Sequence, residues 1–224
     1  WKFFATYNSN IIKSEKIKSF KIDLLETPEK IIPIIQNIKP DYIVDTVSFP
    51  SVDFCEENHS IADKLHIDAT KIISKISSKT NSKLLFLSTD AVFEGESNKK
   101  YLETDTPKPV NYYGFTKLKA EEIILSTSKN NVVLRTAVIY GAGTQSRFTN
   151  WILSYLREQR PVDPFIDQFN SPTLVDDLSQ AIVKILKNDI SGLFHATGPT
   201  CINKYDFALM LAKEFNLDSN LIKP

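Results

Sequence analysis

The sequence predicts an α/β fold in which helices cover both faces of a mostly parallel, doubly wound sheet. Short apolar runs alternate along the 224 residues with longer segments of helical periodicity, a pattern typical of βαβ units. The run KLLFLST (83–89) is almost continuously apolar, as a parallel strand buried on both faces should be. Residues that favour helix starts, such as Asn203, separate the runs.

The elements follow one another regularly up to about residue 141. Thr27 and Pro28 mark the start of the first helix, which Pro33 should disturb. The segment 53–78 is either one long helix or a kinked pair. Predicted strands lie at 2–7, 41–47, 83–89, 131–141 and 192–197, and predicted helices at 27–38, 53–78, 112–128, 147–158, 174–188 and 203–215.

The alternation of strands and helices becomes less regular near residue 141, which predicts two domains. Residues 1–141 should form a nucleotide-binding core. Residues 142–224 should form a smaller α/β substrate lobe that returns in part to the core sheet. The lobe should lie at the carboxyl edge of the strands, where ligands bind in open α/β sheets.

Composition excludes several classes of function. The formal net charge is zero, which gives no case for nucleic acid or an anionic membrane as partner. Two cysteines and three histidines without close spacing predict neither a disulfide framework nor a metal site. No apolar run approaches the length of a membrane span, which is about 20 residues. We therefore expect a cytoplasmic protein without metal.

The segment NYYGFTK places Tyr113 four residues before Lys117, which puts both side chains on one helix face. This spacing also arises by chance in a chain with eight tyrosines and many lysines. The strand that ends in Ser88 and Thr89 makes the pair more specific, because strand ends point at the ligand crevice. A hydroxyl could bind a substrate carbonyl while the phenol donates a proton to it. The alternative is that Ser88 and Thr89 only cap a turn.

Five ordered segments extend this constellation over the chain: STDAVFEG, YLETDTPKPVNYYGFTKLKAEE, LRTAVIYG, DQFNSPTLVDDLSQAI and GLFHATGPTCINKYDFA. In this order they resemble the dTDP-4-dehydrorhamnose reductase family of the extended short-chain dehydrogenase/reductase superfamily. The resemblance covers residues 21 to about 215. It implies a Rossmann-like sheet, an NAD(P)H-dependent oxidoreductase of dTDP-rhamnose biosynthesis and a nucleotide-sugar substrate. Relatives are often homodimers.

The resemblance also implies roles for individual residues. Tyr113 matches the catalytic acid, Lys117 its partner on the nicotinamide ribose, and Thr89 the hydroxyl on the substrate carbonyl. The nicotinamide and Lys117 should lower the pKa of the phenol. Further cofactor contacts are implied for Asp23, Leu24, Thr46, Val47, Ser48, Ser88 and Arg135 with its neighbour Thr136, and substrate contacts for Val52, Asp53, Thr89 and Asp90. Arg135 could equally form a structural ion pair.

The sequence departs from the family at the phosphate loop. The family opens with a strand and a glycine-rich loop at a helix N-terminus, but the first of six glycines here is Gly95. We therefore expect that the first strand, at the centre of the sheet, is missing from this chain. A longer parent chain, direct pairing of the flanking strands with loss of the cofactor, or a strand from another chain would each account for this.

Further departures concern the sugar and the cofactor. Ala91, and Ala137 with Val138, stand where the family commonly has aromatic residues near the sugar, so the substrate could differ. His66 replaces a frequent Asn beside the catalytic residues and is either a packed core residue or a functional one. The segment TYNSN (6–10) has no acid for the ribose of NAD, which slightly favours NADP over NAD.

Two functions of different class remain. One is reduction of the 4-keto group of a nucleotide-linked deoxysugar with Tyr113 as acid. The other is a non-catalytic regulatory or binding subunit on the same fold, like the β subunit of methionine adenosyltransferase. The absent glycine-rich loop and the lost aromatic residues motivate the second.

Overall fold

The computed structural model describes residues 1–49, 51–96, 100–141 and 146–224. Its strands are β1 Phe3–Tyr7, β2 Ile17–Lys21, β3 Tyr42–Asp45, β4 Lys83–Thr89, β5 Val132–Thr136, β6 Ile139–Tyr140, β7 Phe169–Asn170, β8 Thr173–Leu174, β9 Gly192–His195 and β10 Ile202–Asn203. Its helices are α1 Ile31–Ile38, α2 Val52–Glu57, α3 His59–Asp63, α4 Ala69–Lys79, α5 Tyr112–Thr127, α6 Arg147–Arg157, α7 Val175–Lys187 and α8 Lys204–Glu214. None of the helices in these ranges is long and apolar enough to cross a membrane.

The chain divides into two compact units. The first comprises Trp1–Leu134 and Ile190–Phe194, and the second comprises Arg135–Asp189 and His195–Pro224. The predicted functional division at residue 141 stays a prediction, because compactness alone assigns no role to either part.

The main sheet has four strands in the order β3-β4-β5-β9. Strands β3 and β4 run parallel, with Tyr42 opposite Lys83 and Asp45 opposite Phe86. Six of the seven residues of β4 are buried, and all five residues of β5 are buried. The predicted α/β fold with parallel strands is confirmed, and the continuously apolar run at 83–89 was its most reliable signal.

Strands β1 and β2 form a separate parallel pair, with Phe3 opposite Ile17. Among the described residues, no strand pairing joins β1 to β3. In the family order expected from the resemblance, β1 and β3 are the strands on either side of the first strand. Direct pairing of the two flanking strands, one of the three explanations considered above, is therefore wrong. The sequence also failed to predict β2, because its IKSFK segment mixes lysine and serine with only two apolar residues.

The core of the first unit packs apolar side chains of α1, α4 and α5 against β4 and β5. Ile124 of α5 and Leu84 of β4 are fully buried there. The buried members of this cluster are Ile22, Leu24, Ile31, Ile35, Ala69, Ile73, Ile76, Leu84, Phe86, Ala120, Ile124 and Val133. Burying such side chains is the main stabilising contribution to the unit.

The first helix begins later in the structure than predicted. The side chain of Thr27 caps no helix amide; its hydroxyl instead donates to the carbonyl of Asp23 at 3.2 Å. A 3₁₀ turn at Pro28–Lys30 precedes α1. Pro33 therefore lies in the first turn of α1, where a missing N–H breaks no intrahelical bond.

The segment 53–78 is kinked rather than straight. Asn58 ends α2 and precedes α3, and a π-helical turn at Lys64–Asp68 joins α3 to α4. The predicted strand 131–141 is likewise divided into β5 and β6.

The second unit holds α6, α7 and α8 with two small sheets. Strands β6 and β8 pair in parallel, and β7 and β10 pair antiparallel. Asn203 caps α8 as predicted, since its side chain accepts a hydrogen bond from the amide of Asp206 at 2.7 Å. The hydrophobic core of the second unit contains Ile152, Leu156, Val162, Ala208, Ala212 and Ile222.

Candidate active site

Helix α5 carries the tyrosine and lysine that the sequence singled out. Asn111 fixes the start of the helix by accepting a hydrogen bond from the amide of Gly114 at 2.8 Å. Tyr113 follows in the first turn and is half-buried, whereas Lys117, one turn later, is 2% exposed. The two side chains therefore lie on the inner face of the helix, beside the end of β4.

The ammonium of Lys117 lies against β4. Its Nζ donates to the carbonyl oxygen of Leu87 at 2.7 Å and lies 3.9 Å from the ring centroid of Phe86. Burial lowers the pKa of Lys117 to about 8, against the opposing charges of Asp45 and Glu121. The side chain therefore remains mostly protonated at neutral pH.

Ser88 and Thr89 have separate roles at the end of β4. The hydroxyl of Ser88 donates to Oε1 of Glu121 at 2.5 Å. Thr89 accepts a hydrogen bond from the amide of Ala91 at 3.1 Å and so caps the short 3₁₀ turn Asp90–Val92. The turn-capping alternative is thus correct for Thr89, whose hydroxyl also donates to Oδ1 of Asp90 at 3.2 Å.

The phenol of Tyr113 lies near two hydroxyls, that of Ser48 in the loop after β3 and that of Thr89 at the end of β4. Burial raises its pKa, and hydrogen bonds with the side chains of Ser48 and Thr89 lower the pKa by a smaller amount. Asp90 and Cys55 also raise the pKa. The lowered pKa that the sequence analysis expects beside a nicotinamide stays a prediction; in the protein by itself burial dominates and the pKa of Tyr113 is raised. A raised pKa keeps the phenol protonated, which is the state that a proton donor needs.

The residues after β3 form the opposite side of the site. Asp45 is buried and accepts a hydrogen bond from the amide of Val47 at 3.0 Å; burial raises the pKa of its carboxyl group. Thr46 is exposed, and Val47 packs against the core. Ser48 reaches both Tyr113 and a ring nitrogen of His66, which is 3.2 Å from its hydroxyl.

Other residues that the sequence selected lie away from this cluster. Asp23 follows β2, where its carboxylate accepts hydrogen bonds from the amides of Leu25 at 2.9 Å and Glu26 at 3.2 Å. Leu24 is a core residue at 6% exposure. Val52 and Asp53 begin α2 and are both exposed.

Comparison with known proteins decides the family. The sequence profile of the RmlD substrate binding domain matches residues 5–224. The chain belongs to this family. The resemblance to dTDP-4-dehydrorhamnose reductases that the five sequence segments indicated is thereby confirmed.

Three relatives illustrate the similarity. The dTDP-4-dehydrorhamnose reductase of Escherichia coli (strain K12) is 30% identical over 192 residues, covering 84% of this chain and 64% of that protein. The methionine adenosyltransferase 2 subunit beta of Bos taurus is 31% identical over 201 residues, covering 85% and 59%. A crystal structure of the Bacillus anthracis dTDP-4-dehydrorhamnose reductase in complex with NADP has a TM-score of 0.88 at 23% identity, covering 100% of this chain and 84% of that one. The chain thus spans less than two thirds of the length of the two curated relatives, and the third comparison supports the fold.

Arg135 and Thr136 belong to the second unit of this RmlD-family chain. Arg135 is 3% exposed, and its carbonyl accepts a hydrogen bond from the amide of Ala196 at 2.8 Å. The hydroxyl of Thr136 donates to that of Thr173 at 3.2 Å. Both residues therefore have structural contacts within the second unit.

Sequence reasoning missed two acids around Lys117. Glu121 lies one helical turn after Lys117 and is 2% exposed, so its spacing was an available signal. Asp45 was less accessible to prediction, because its proximity to Lys117 depends on how β3 and β4 pair. His66 was noticed, but its hydrogen bonds were not predicted.

Proposed function

We propose that the protein is an NAD(P)H-dependent reductase of the 4-keto group of a nucleotide-linked deoxysugar. The observation that carries this proposal is the phenol of Tyr113 near the hydroxyls of Thr89 and Ser48, with the buried ammonium of Lys117 on the same helix face. Membership of the RmlD family supports the same reaction, since the E. coli relative is a dTDP-4-dehydrorhamnose reductase.

Tyr113, Thr89 and Lys117 can carry out the proton transfer of this reaction. Thr89 and Tyr113 would both hydrogen-bond the substrate carbonyl oxygen. When bound, the reduced nicotinamide supplies a hydride to the carbonyl carbon. The carbonyl π electrons then move to oxygen, which takes the proton from Tyr113 and leaves a phenolate. The positive charge of Lys117 stabilises that phenolate, and acid catalysis of this kind contributes about 10²–10⁴-fold.

The residues present fit the nicotinamide end of the cofactor. The ammonium of Lys117 keeps two N–H donors besides the one on the Leu87 carbonyl, which suits a ribose hydroxyl. The hydroxyl of Ser88, whose hydrogen goes to Glu121, could still accept a hydrogen bond from a carboxamide. Thr46, Val47 and Ser48 would pass beneath the ring, and Asp23 and Leu24 would lie at the adenine end. The absence of an acid in residues 6–10 slightly favours NADP over NAD.

The test is oxidation of NADPH or NADH driven by a dTDP-4-keto-6-deoxysugar, measured on the full-length protein. Tyr113→Phe should reduce turnover by about 10²–10⁴-fold. Tyr112→Phe is the matched control, because its hydroxyl instead bonds Asp63 at 2.9 Å. Equal turnover in wild type and the Tyr113 variant would rule out the assignment.

A second function is a regulatory subunit on the same fold. The bovine relative is the β subunit of a methionine adenosyltransferase, and Ala91 and Val138 replace aromatic residues expected near a sugar. In that case the full-length protein would co-purify with a partner enzyme and bind neither nicotinamide cofactor. Micromolar binding of NADPH by the purified protein would contradict this alternative.

Several broader assignments belong to the proposal. Residues 1–141 would form the nucleotide-binding core and residues 142–224 the substrate lobe. The protein would act in the cytoplasm, on a nucleotide sugar rather than nucleic acid, and without metal. Light scattering of the purified full-length protein tests the homodimer that the family resemblance implies.

A further inference from the structure

His66 is a buried polar side chain that the proposed reaction does not use. It lies in the π-helical turn Lys64–Asp68 and is 1% exposed. Single π turns inside helices frequently mark functional sites. The ring lies edge-on to that of Tyr113, with the centroids 5.7 Å apart. The position of this histidine therefore bears directly on the proposed proton donor.

The hydrogen bonds of His66 fix its tautomer. The amide of Phe49 can only donate, and it lies 2.9 Å from Nε2. Nε2 must therefore be the unprotonated acceptor, so Nδ1 carries the hydrogen. Nδ1 lies 2.8 Å from the hydroxyl oxygen of Thr116, and it donates to that oxygen. Burial and the charge of Lys117 lower the pKa of His66 to about 3, which is consistent with a neutral ring at neutral pH.

The two ring nitrogens connect two separate parts of the chain. On one side, Nε2 holds Phe49 and lies 3.2 Å from the hydroxyl of Ser48. On the other side, Thr116 receives the Nδ1 hydrogen and donates its own to the carbonyl of Tyr113 at 2.9 Å. The imidazole thus joins the loop after β3 to the first turn of α5. The hydroxyl of Ser48 also donates to the carbonyl of Phe49 at 3.2 Å. The side chain of Ser48 lies near enough to the phenol of Tyr113 to lower its pKa, against the larger effect of burial.

We propose that His66 is a positioning residue that holds the hydroxyl of Ser48 against the phenol of Tyr113. The proposal rests on the proposed role of Tyr113 as the proton donor. His66 touches no reacting atom; it acts through Ser48 and Thr116. A flat ring with an acceptor on one edge and a donor on the other suits this position, because both neighbours are satisfied without leaving a buried polar group unpaired.

The first measurement is the tautomer of His66 in the wild-type full-length protein, by nitrogen NMR. The Nδ1–H form that stays neutral at pH 6 is expected. A ring protonated on Nε2 would overturn the proposal, because the amide of Phe49 would then have no acceptor. This measurement needs neither a variant nor a cofactor.

The second measurement is the pKa of Tyr113, followed by NMR of proteins labelled at the tyrosine Cζ carbon. Ser48→Ala and His66→Phe should each raise it by about half to one pH unit, the worth of one hydrogen bond to a phenolate. The double variant should raise it no further than Ser48→Ala alone, since the two residues act in series. An unchanged Tyr113 pKa in His66→Phe, with Ser48→Ala raising it, would overturn the proposal.

Control variants distinguish the loss of a positioning contact from a general loss of structure. His59→Phe removes an exposed histidine that stacks on Tyr112, and it should leave the Tyr113 pKa unchanged. If His66→Phe fails to fold, Thr116→Val removes the acceptor of the Nδ1 hydrogen together with the hydrogen bond from Thr116 to the Tyr113 carbonyl. It should raise the Tyr113 pKa, while Thr116→Ser restores both bonds and the pKa. In turnover assays, kcat should fall with little change in KM. Because the titration needs no substrate, it tests His66 even if the protein proves not to be a reductase.

Discussion

Gly114 is the position at which a single methyl group should damage the site more than the fold. An ideal β-carbon on Gly114 would lie 2.9 Å from the carbonyl carbon of Ala91 and 3.1 Å from Cβ of Pro109. The carbonyl oxygen of Ala91 would be closer still. The neighbour is backbone of the turn that Thr89 caps, so it cannot move aside as a flexible side chain could.

The expected magnitude follows from these distances. Carbon atoms in contact normally lie about 3.5–4.0 Å apart, and the carbonyl oxygen of Ala91 is the nearest atom of all. Gly114→Ala must therefore move α5 away from the turn by about 1 Å or more. Overpacking of this kind costs about 1–3 kcal/mol, and replacing a helical glycine by alanine returns about 1 kcal/mol. The net loss of stability should be about 0–2 kcal/mol. A displacement of about 1 Å between Tyr113 and Thr89 can cost about 10²-fold in rate.

The assay compares urea unfolding with turnover of the proposed reaction. Gly95→Ala is the control, because Gly95 has φ +79° and a β-carbon added there would meet no atom within 4 Å. That variant should lose stability through backbone strain, by about 1–2 kcal/mol, and retain turnover. Gly114→Ala should instead lose turnover while it loses little stability. Wild-type turnover in Gly114→Ala would refute the reasoning that close contact with the turn positions Tyr113.

Three further predictions concern stability. Asn111→Ala removes the bond to the amide of Gly114 and should cost about 1 kcal/mol in urea unfolding, whereas Ala at exposed Asn130 should cost much less. Ile124→Ala empties a fully buried site and should cost about 2–5 kcal/mol. The pKa of His66 is about 3 in the folded protein, below its ordinary 6.5, so the unfolded chain binds the proton first as pH falls. The contribution of the neutral His66 ring to folding stability is fully present above about pH 6.5. Between that pH and 3, stability should fall by at most about 1.4 kcal/mol per pH unit, and His66→Phe should flatten this dependence.

The sequence predicted those features of the site that depend on local spacing or on strand ends. Tyr113 and Lys117 share a helix face because they are four residues apart. Thr89 is near them because β4 ends beside α5. The buried run at 83–89 located that strand, since a parallel strand covered on both faces leaves a nearly unbroken apolar signal. By contrast, β2 has only two apolar residues, and its consecutive lysine and serine break the alternation that would indicate a strand.

The contacts that orient Tyr113 depend on packing and were not predictable in this way. His66 and Thr116 are 50 residues apart in sequence, and Ser48 and His66 are 18 apart. No spacing rule relates such pairs; the π turn at Lys64–Asp68 determines where the imidazole points. In the sequence, His66→Phe looks like the exchange of one buried ring for another. In the structure, it removes hydrogen bonds to two neighbours of the proposed acid. For this reason the Tyr-x-x-x-Lys spacing locates the site, whereas the loop after β3 and the π turn determine the environment of its phenol.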